Sequence, residues 1–200
     1  MDHFHYGFFI LLGLYHGVNP GMGWLFSVAI AMQRESTKTI FVSHLPIAIG
    51  HLLSLIATII IYYLISEIIT PKVSKVFFSL LLIGFGIYKL IDRSHFTWTK
   101  MNVNNYDLAL WSFLMASSHG AGLMLIPGFN YEGDHMIHHL EHFGFLALGV
   151  HTLAMLITSI ILAFTVYKLI GLRILRSSWI NFDYIWSFVL IVGGLFIFFV

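Results

Sequence analysis

The chain is predicted to be an all-α integral membrane protein, with six transmembrane helices arranged as two inverted three-helix repeats and a broken first helix in each half. Three observations predict this class. Of the 200 residues, 58% are hydrophobic and only 10% charged, where soluble domains carry about 25% charge; the mean hydropathy is +0.88. Apolar segments follow one another from end to end, each long enough to cross a bilayer at roughly 20 residues per span. Short motifs also recur about a hundred residues apart.

Charge runs and helix breakers place the segments at about 6–32, 40–69, 73–91, 108–126, 143–170 and 180–200. The opening "MDHFHYGFFILLGL" lacks the basic start and the small-residue cleavage site of a secretory signal, so it reads as a retained first span. The connections are "QRESTK", "TPKVSK", "DRSHFTWTKMNVNNYD", "GFNYEGDHMIHHLEH" and "GLRILRSS". None is a low-complexity linker, so 1–200 forms a single membrane domain, with repeat one at about 1–92 and repeat two at about 107–200. Arg34, Lys38, Lys89, Arg93, Lys100, Lys168, Arg173 and Arg176 fall in loops one, three and five, against Lys72 and Lys75 on the other side. Cytoplasmic loops carry the basic excess, so a multi-pass protein of the cell membrane with both termini outside is expected.

The repeat is legible in two places. "HLLSLIATII" from His51 matches "HTLAMLITSII" from His151, with Thr58 and Thr158 each seven residues on, and His16-Gly17 in segment one answers His119-Gly120 in segment four. Gly84 and Gly86 loosely echo Gly193 and Gly194. Three spans per half invert the second half in the membrane, an arrangement that recurs in secondary transporters with sites near the midplane.

Inside the first segment, "GLYHGVNPGMGW" contains Asn19, Pro20, Gly21 and Gly23. Proline lacks an amide donor and glycine favours bent backbone, so the helix should break there. Backbone groups freed in lipid must be buried in protein or line a wet cavity, and "SSHGAGLMLIPG" offers a matching break in the second half. Helix ends at such breaks can meet an ion or polar solute; the bland alternative is a kink whose glycines allow close packing.

His16, His51, His119 and His151 all fall near the middle of their segments. Ionisable groups are costly there and suggest a relay, a ligand set or a pathway, although each could simply bond a neighbouring helix through Ser54, Ser117 or Ser118. The candidate binding set is His16, Asn19, Pro20, Gly21, His51, His119 and His151. Imidazole suits zinc, copper, nickel and iron, whereas magnesium and calcium call for oxygen ligands that these spans lack. Met22, Met115, Met124 and Met155 could add thioethers, but methionine in an apolar span is usually packing. His44, two helical turns before His51 on one face, either extends a polar path toward the cytoplasm or caps and packs near an interface.

The loop "EGDHMIHHLEH" sets His135, His138, His139 and His142 in one helical stripe, with Asp134 as N-cap. That stripe is a candidate metal-capture or release surface, and equally an interfacial amphipathic or pH-sensing helix. Met1, Asp2 and His3 could bind Cu(II) or Ni(II) in a square-planar arrangement if the amino terminus is free and unprocessed.

At "HGVNPGMG" in a three-plus-three membrane chain of this size, the sequence resembles the lysine-exporter (LysE) superfamily, and within it the nickel/cobalt-exporter (NicO) type. The resemblance implies export of a cation or small polar solute by alternating access, driven by an ion gradient. His16, Gly17, Pro20 and Gly21 match the HG-x-x-PG pattern; Met22 departs from it, where the resemblance calls for another histidine.

The principal expectation is therefore a membrane exporter of a transition-metal cation (Ni, Co, Zn or Cu) or small solute. The alternative is a haem b- or metal-binding subunit of a redox complex with the four histidines as axial pairs, though a haem bundle needs no broken helix. A third possibility is a scaffold whose polar groups only join helices. Expected partners are the lipid bilayer, the solute, and a second copy or a larger membrane complex. Ten basic residues spread over the loops make no nucleic-acid face. Zero cysteines exclude disulfides and thiolate metal sites. An enzyme is disfavoured, because no nucleophile or carboxylate pair stands beside the histidines.

Overall fold

The computed structural model describes residues 3–68, 71–91, 103–126, 144–170 and 182–199. Among these, seven α-helices account for most of the chain, and there is no strand. Helix α1 (His3–Val18) and α2 (Trp24–Gln33) flank a short 3₁₀ turn, Pro20–Met22; α3 is Lys38–Ile68 and α4 Pro71–Ile91. Helix α5 (Asn105–Ser118) leads into a 3₁₀ turn at Leu123–Leu125, α6 is Phe145–Thr165 with a π-helical extension Val166–Ile170, and α7 is Phe182–Phe199. The stretches Lys38–Ile65 and Phe145–Leu169 are long and apolar enough to cross a membrane.

Local chemistry explains both expected breaks. Helix α1 stops because Asn19 is extended (φ −67°, ψ 119°) and its side-chain oxygen accepts the Gly21 N–H at 2.8 Å, with Pro20 opening the 3₁₀ turn. The chain re-enters a helix through Gly23 at φ 111°, a left-handed conformation costly for other residues. The Trp24 indole N–H reaches back 3.1 Å to the Val18 carbonyl, satisfying a group that the break set free. Helix α5 begins on a capping box, Asn104 with Asp107. It ends in a Schellman motif: Gly120 has φ 67°, its N–H donates to Ser117 O, and the Ala121 N–H donates to Ala116 O at 3.0 Å.

Packing crosses between the halves. Helix α1 lies along α6, α3 along α5, and α4 along α7, while α2 fills the space beside α3 and α6. The contacts are reciprocal. Gly86 of α4 sits against the Ser187 carbonyl and Ile191 of α7, and Gly194 of α7 sits against the Ser79 carbonyl and Ile83 of α4, the same spacing read from either helix. The other two glycines of the expected echo, Gly84 and Gly193, face open space.

The side-chain distribution is the inverse of a water-soluble bundle. Leu11, Leu45, Ile61, Leu80, Phe145 and Leu153 are all more than half exposed, while His16, Asn19, Ser27, His44, His51, Ser54, His119 and His151 are buried. Phe9, Met22, Leu55, Leu82, Leu125 and Leu190 form the largest apolar core around these polar groups. Apolar surface on this scale is not left facing water by soluble monomers.

Candidate functional site

Three of the four mid-segment histidines come into contact. His16 stands two residues before the end of α1, His51 lies in α3 and His151 in α6. Their ring centroids are 4.9 Å apart for His16–His151 and 5.6 Å for both His16–His51 and His51–His151, the last pair nearly parallel at 15°. All three are no more than 1% exposed.

Backbone carbonyls orient the rings. His16 Nδ1–H donates to Leu12 O at 2.7 Å, the carbonyl one turn back, and His151 Nδ1–H donates across the helix interface to Phe9 O at 3.2 Å. With the proton held on Nδ1, the neutral rings of His16 and His151 carry their lone pairs on Nε2. His51 Nε2 stands 3.4 Å from His151 Nε2, so His51 is the donor in that bond. His51 Nδ1 has no hydrogen-bonding partner among the described residues.

His119 occupies the C-cap of α5, where its Nδ1–H donates to Met115 O at 2.8 Å with the Ser118 hydroxyl 3.3 Å away, and it lies within electrostatic reach of His16. The two chain breaks meet here: a side chain at Gly21 would touch the His119 ring and the Met115 methyl. Asn19 and Gly21 are thereby brought beside His119, while Pro20 begins the turn that holds them. The Ser54 and Ser117 hydroxyls bond each other at 2.9 Å, joining α3 to α5 rather than bonding the histidine rings. Thr58 and Thr158 each donate to the carbonyl four residues back, in Ser54 and Ala154. Met22, Met115, Met124 and Met155 are buried core side chains.

The buried polar residues are histidine, serine, threonine and asparagine, with no carboxylate among the described ones, which disfavours hard cations. Two nitrogens each about 2.0–2.1 Å from a tetrahedral metal stand roughly 3.4 Å apart, and the His51–His151 Nε2 separation is 3.4 Å. Among the described residues, however, no group of three or more His, Asp or Glu side chains is arranged to hold a metal ion. The third imidazole, His16, is in ring contact with both. A haem is poorly accommodated, since an axial pair needs a macrocycle between its rings and these rings touch, with His16 lying against both.

The loop candidates Asp134, His135, His138, His139 and His142 lie outside the described residues, as does the His3 side chain. A second buried polar group went unrecognised in the sequence apart from His44: Ser27 of α2 and Ser43 of α3 gather beside it. Isolated serines in apolar segments give no periodic signal that would single them out. No protein-family model, curated protein or solved structure matches the chain.

Proposed function

We propose that this protein is a multi-pass membrane transporter that moves a transition-metal cation by alternating access, with His16, His51 and His151 as the transient ligands and His119 at the neighbouring break. The observation that carries this is the buried contact of three imidazoles, two of them held at Nδ1 by backbone carbonyls so that their lone pairs lie on Nε2. Metal-ligating histidines are characteristically oriented by such a bond on the other nitrogen. The metal is cargo, so a site one ligand short of closure suits release. In keeping with the resemblance at His16, Gly17, Pro20 and Gly21, the route runs past the broken helices.

Six crossings follow if α1 and α2 together form one interrupted crossing and α5 with its 3₁₀ turn another, the second half inverted relative to the first. The reciprocal Gly86 and Gly194 contacts support this plan. Alternating access is supported by equivalent residues in unequal states. His16 and Gly17 remain inside α1, whereas His119 and Gly120 form the end of α5. Thr158 packs on Gly17, whereas Thr58 packs on Gly122. In inverted repeats, exchanging the two conformations exchanges the open side.

The test is metal analysis and a visible spectrum on protein purified in mild detergent without added metal, followed by flux into liposomes. Colourless protein that carries Ni, Co, Zn or Cu and loses it in His16→Ala is expected. A stoichiometric, reducible Soret band would overturn the reading, as would metal flux no faster than that of empty liposomes.

A further inference from the structure

Where α4 and α7 cross, the two halves obey a two-fold relation. Ser79, Ile83 and Gly86 correspond to Ser187, Ile191 and Gly194 at one constant offset along the chain. A methyl group at Gly86 would come 3.0 Å from Ser187 O and 2.7 Å from Ile191 Cγ1; one at Gly194 would come 2.9 Å from Ser79 O and 2.7 Å from Ile83 Cγ1. Residues exchanged by a two-fold touch each other only beside its axis. The repeat that matches His51 to His151 therefore puts this pair at the axis, with 3.4 Å between the Nε2 atoms.

A ligand away from the axis has a counterpart, and for His16 it is His119. The two buried rings are held alike. His16 Nδ1–H donates to Leu12 O at 2.7 Å and His119 Nδ1–H to Met115 O at 2.8 Å, so each neutral ring carries its lone pair on Nε2. Leu12 pairs with Met115 in the register that pairs His16 with His119. Their placement differs. His16 lies against both rings of the pair, whereas His119 closes α5 beside the Asn19–Gly21 turn. That turn starts at His16, whose carbonyl accepts the Asn19 N–H at 3.2 Å, so the two imidazoles flank it.

The axial pair is held just as unequally. His151 Nδ1–H donates to Phe9 O of α1, while the buried His51 Nδ1 has no hydrogen-bonding partner among the described residues. In the same register Phe9 pairs with Ser112 of α5. The Ser112 hydroxyl donates at 2.7 Å to Ile47 O, one turn before His51, and the Ser54–Ser117 bond joins the same two helices just beyond it. With a cation on both Nε2 atoms, His51 carries its N–H on Nδ1 and needs an acceptor there. The counterpart of the carbonyl that serves His151 is Ser112 O.

We propose that His16 and His119 are alternate third ligands of one cation. The His51–His151 pair keeps the cation at the axis; His16 joins the pair in the conformation described here, and His119 replaces His16 in the exchanged one. There His51 Nδ1–H bonds Ser112 O, and His151 gives up Phe9 O. This rests on the transport reading above and names the ligand change that accompanies the change of open side. Because each contact is traded for its counterpart, the two loaded states stay close in free energy, as alternation around a fixed site requires.

The test uses the full-length protein in lipid with ¹⁵N-labelled histidine, saturated with ¹¹³Cd²⁺, whose coupling to nitrogen identifies each coordinating ring. The wild type should show coupled Nε2 signals from His51 and His151 and two interconverting third-ligand signals, one absent from His16→Ala and the other from His119→Ala. In liposomes, exchange of Zn²⁺ across the membrane should fall by about tenfold or more in His119→Ala, at least the loss seen when a metal site is deprived of an outer-shell partner. His119→Asn keeps an amide N–H for Met115 O; it should match the wild type in thermal unfolding yet exchange Zn²⁺ as slowly as His119→Ala. A His119 ring that never couples to Cd²⁺, or a His119→Asn protein that exchanges Zn²⁺ at the wild-type rate, overturns the proposal and leaves the transport reading in place. Wild-type protein that neither holds Cd²⁺ nor exchanges Zn²⁺ overturns the transport reading and this assignment with it.

Discussion

His51 and His151 face each other with 3.4 Å between their Nε2 atoms, and the Phe9 carbonyl holds His151 from behind at 3.2 Å. One proton bridges the pair as the rings now stand; a metal ion would replace that proton at the same two lone pairs. His51→Ala and His151→Ala should therefore each lower metal affinity by more than about 10- to 100-fold, the scale seen when a metal site loses only an outer-shell partner of a ligand. The double variant should cost less than the two losses combined, because the remaining member of each pair has no partner. Calorimetric titration with Ni²⁺ and Zn²⁺ checks both expectations, and additive losses would argue against a shared site.

Metal binding should release protons and weaken in acid. Imidazole coordinates only as the neutral ring, so protons compete with metal for it. Titrations in two buffers of different ionisation enthalpy at each pH give the proton count directly. Binding that is indifferent to pH would point to ligands other than histidine.

The reciprocal crossing of α4 and α7 predicts a matched pair of defects. A methyl group at Gly86 would come 2.7 Å from Ile191 Cγ1, and one at Gly194 would come 2.7 Å from Ile83 Cγ1. Gly86→Ala and Gly194→Ala should each destabilise the protein by about 1–3 kcal/mol, the usual cost of overpacking. Gly84→Ala, two residues away on another face of the helix and facing open space, should be neutral or stabilising by up to about 1 kcal/mol. Thermal unfolding in detergent reads all three, and a Gly84→Ala defect as large as the others would remove the packing explanation.

Gly120 closes α5 beside His119. Its φ of 67° disfavours a side chain, and a methyl group there would also meet Phe85 at 3.1 Å. Gly120→Ala should cost about 1–3 kcal/mol and disturb metal binding by shifting the His119 cap. Gly120→Asn, better able to adopt the left-handed conformation, should recover less than the full loss, since the Phe85 contact remains. The stability order of the two variants distinguishes backbone strain from crowding.

Much of the local architecture was legible in the amino-acid order because it depends on neighbours along the chain. Asn19, Pro20 and Gly23 interrupt a helix through their own backbone chemistry, and the break falls where they stand. The predicted fourth segment runs on to residue 126 as continuous apolar sequence, yet the helix ends at Ser118; His119-Gly120 marked the place, and the Schellman bonds explain it. His51 and His151, which match in the sequence, are in direct ring contact. Ile, Leu and Phe on the outside and histidine inside follow from the same composition that announced an apolar protein.

Which imidazoles share a cluster was decided by tertiary packing alone. His16 and His119 look alike in the sequence, each followed by glycine, and only the crossing of α1 against α6 brings His16 onto the His51–His151 pair while His119 closes α5. The orienting partners are Leu12, Phe9 and Met115, whose carbonyls carry no side-chain signature. Ser27 and Ser43 likewise acquire meaning only when α2 is laid against α3 beside His44. Hydrophobic pattern and breakers act over a few residues and can be read in order, whereas hydrogen bonds between helices depend on rotations and crossings that no single segment specifies.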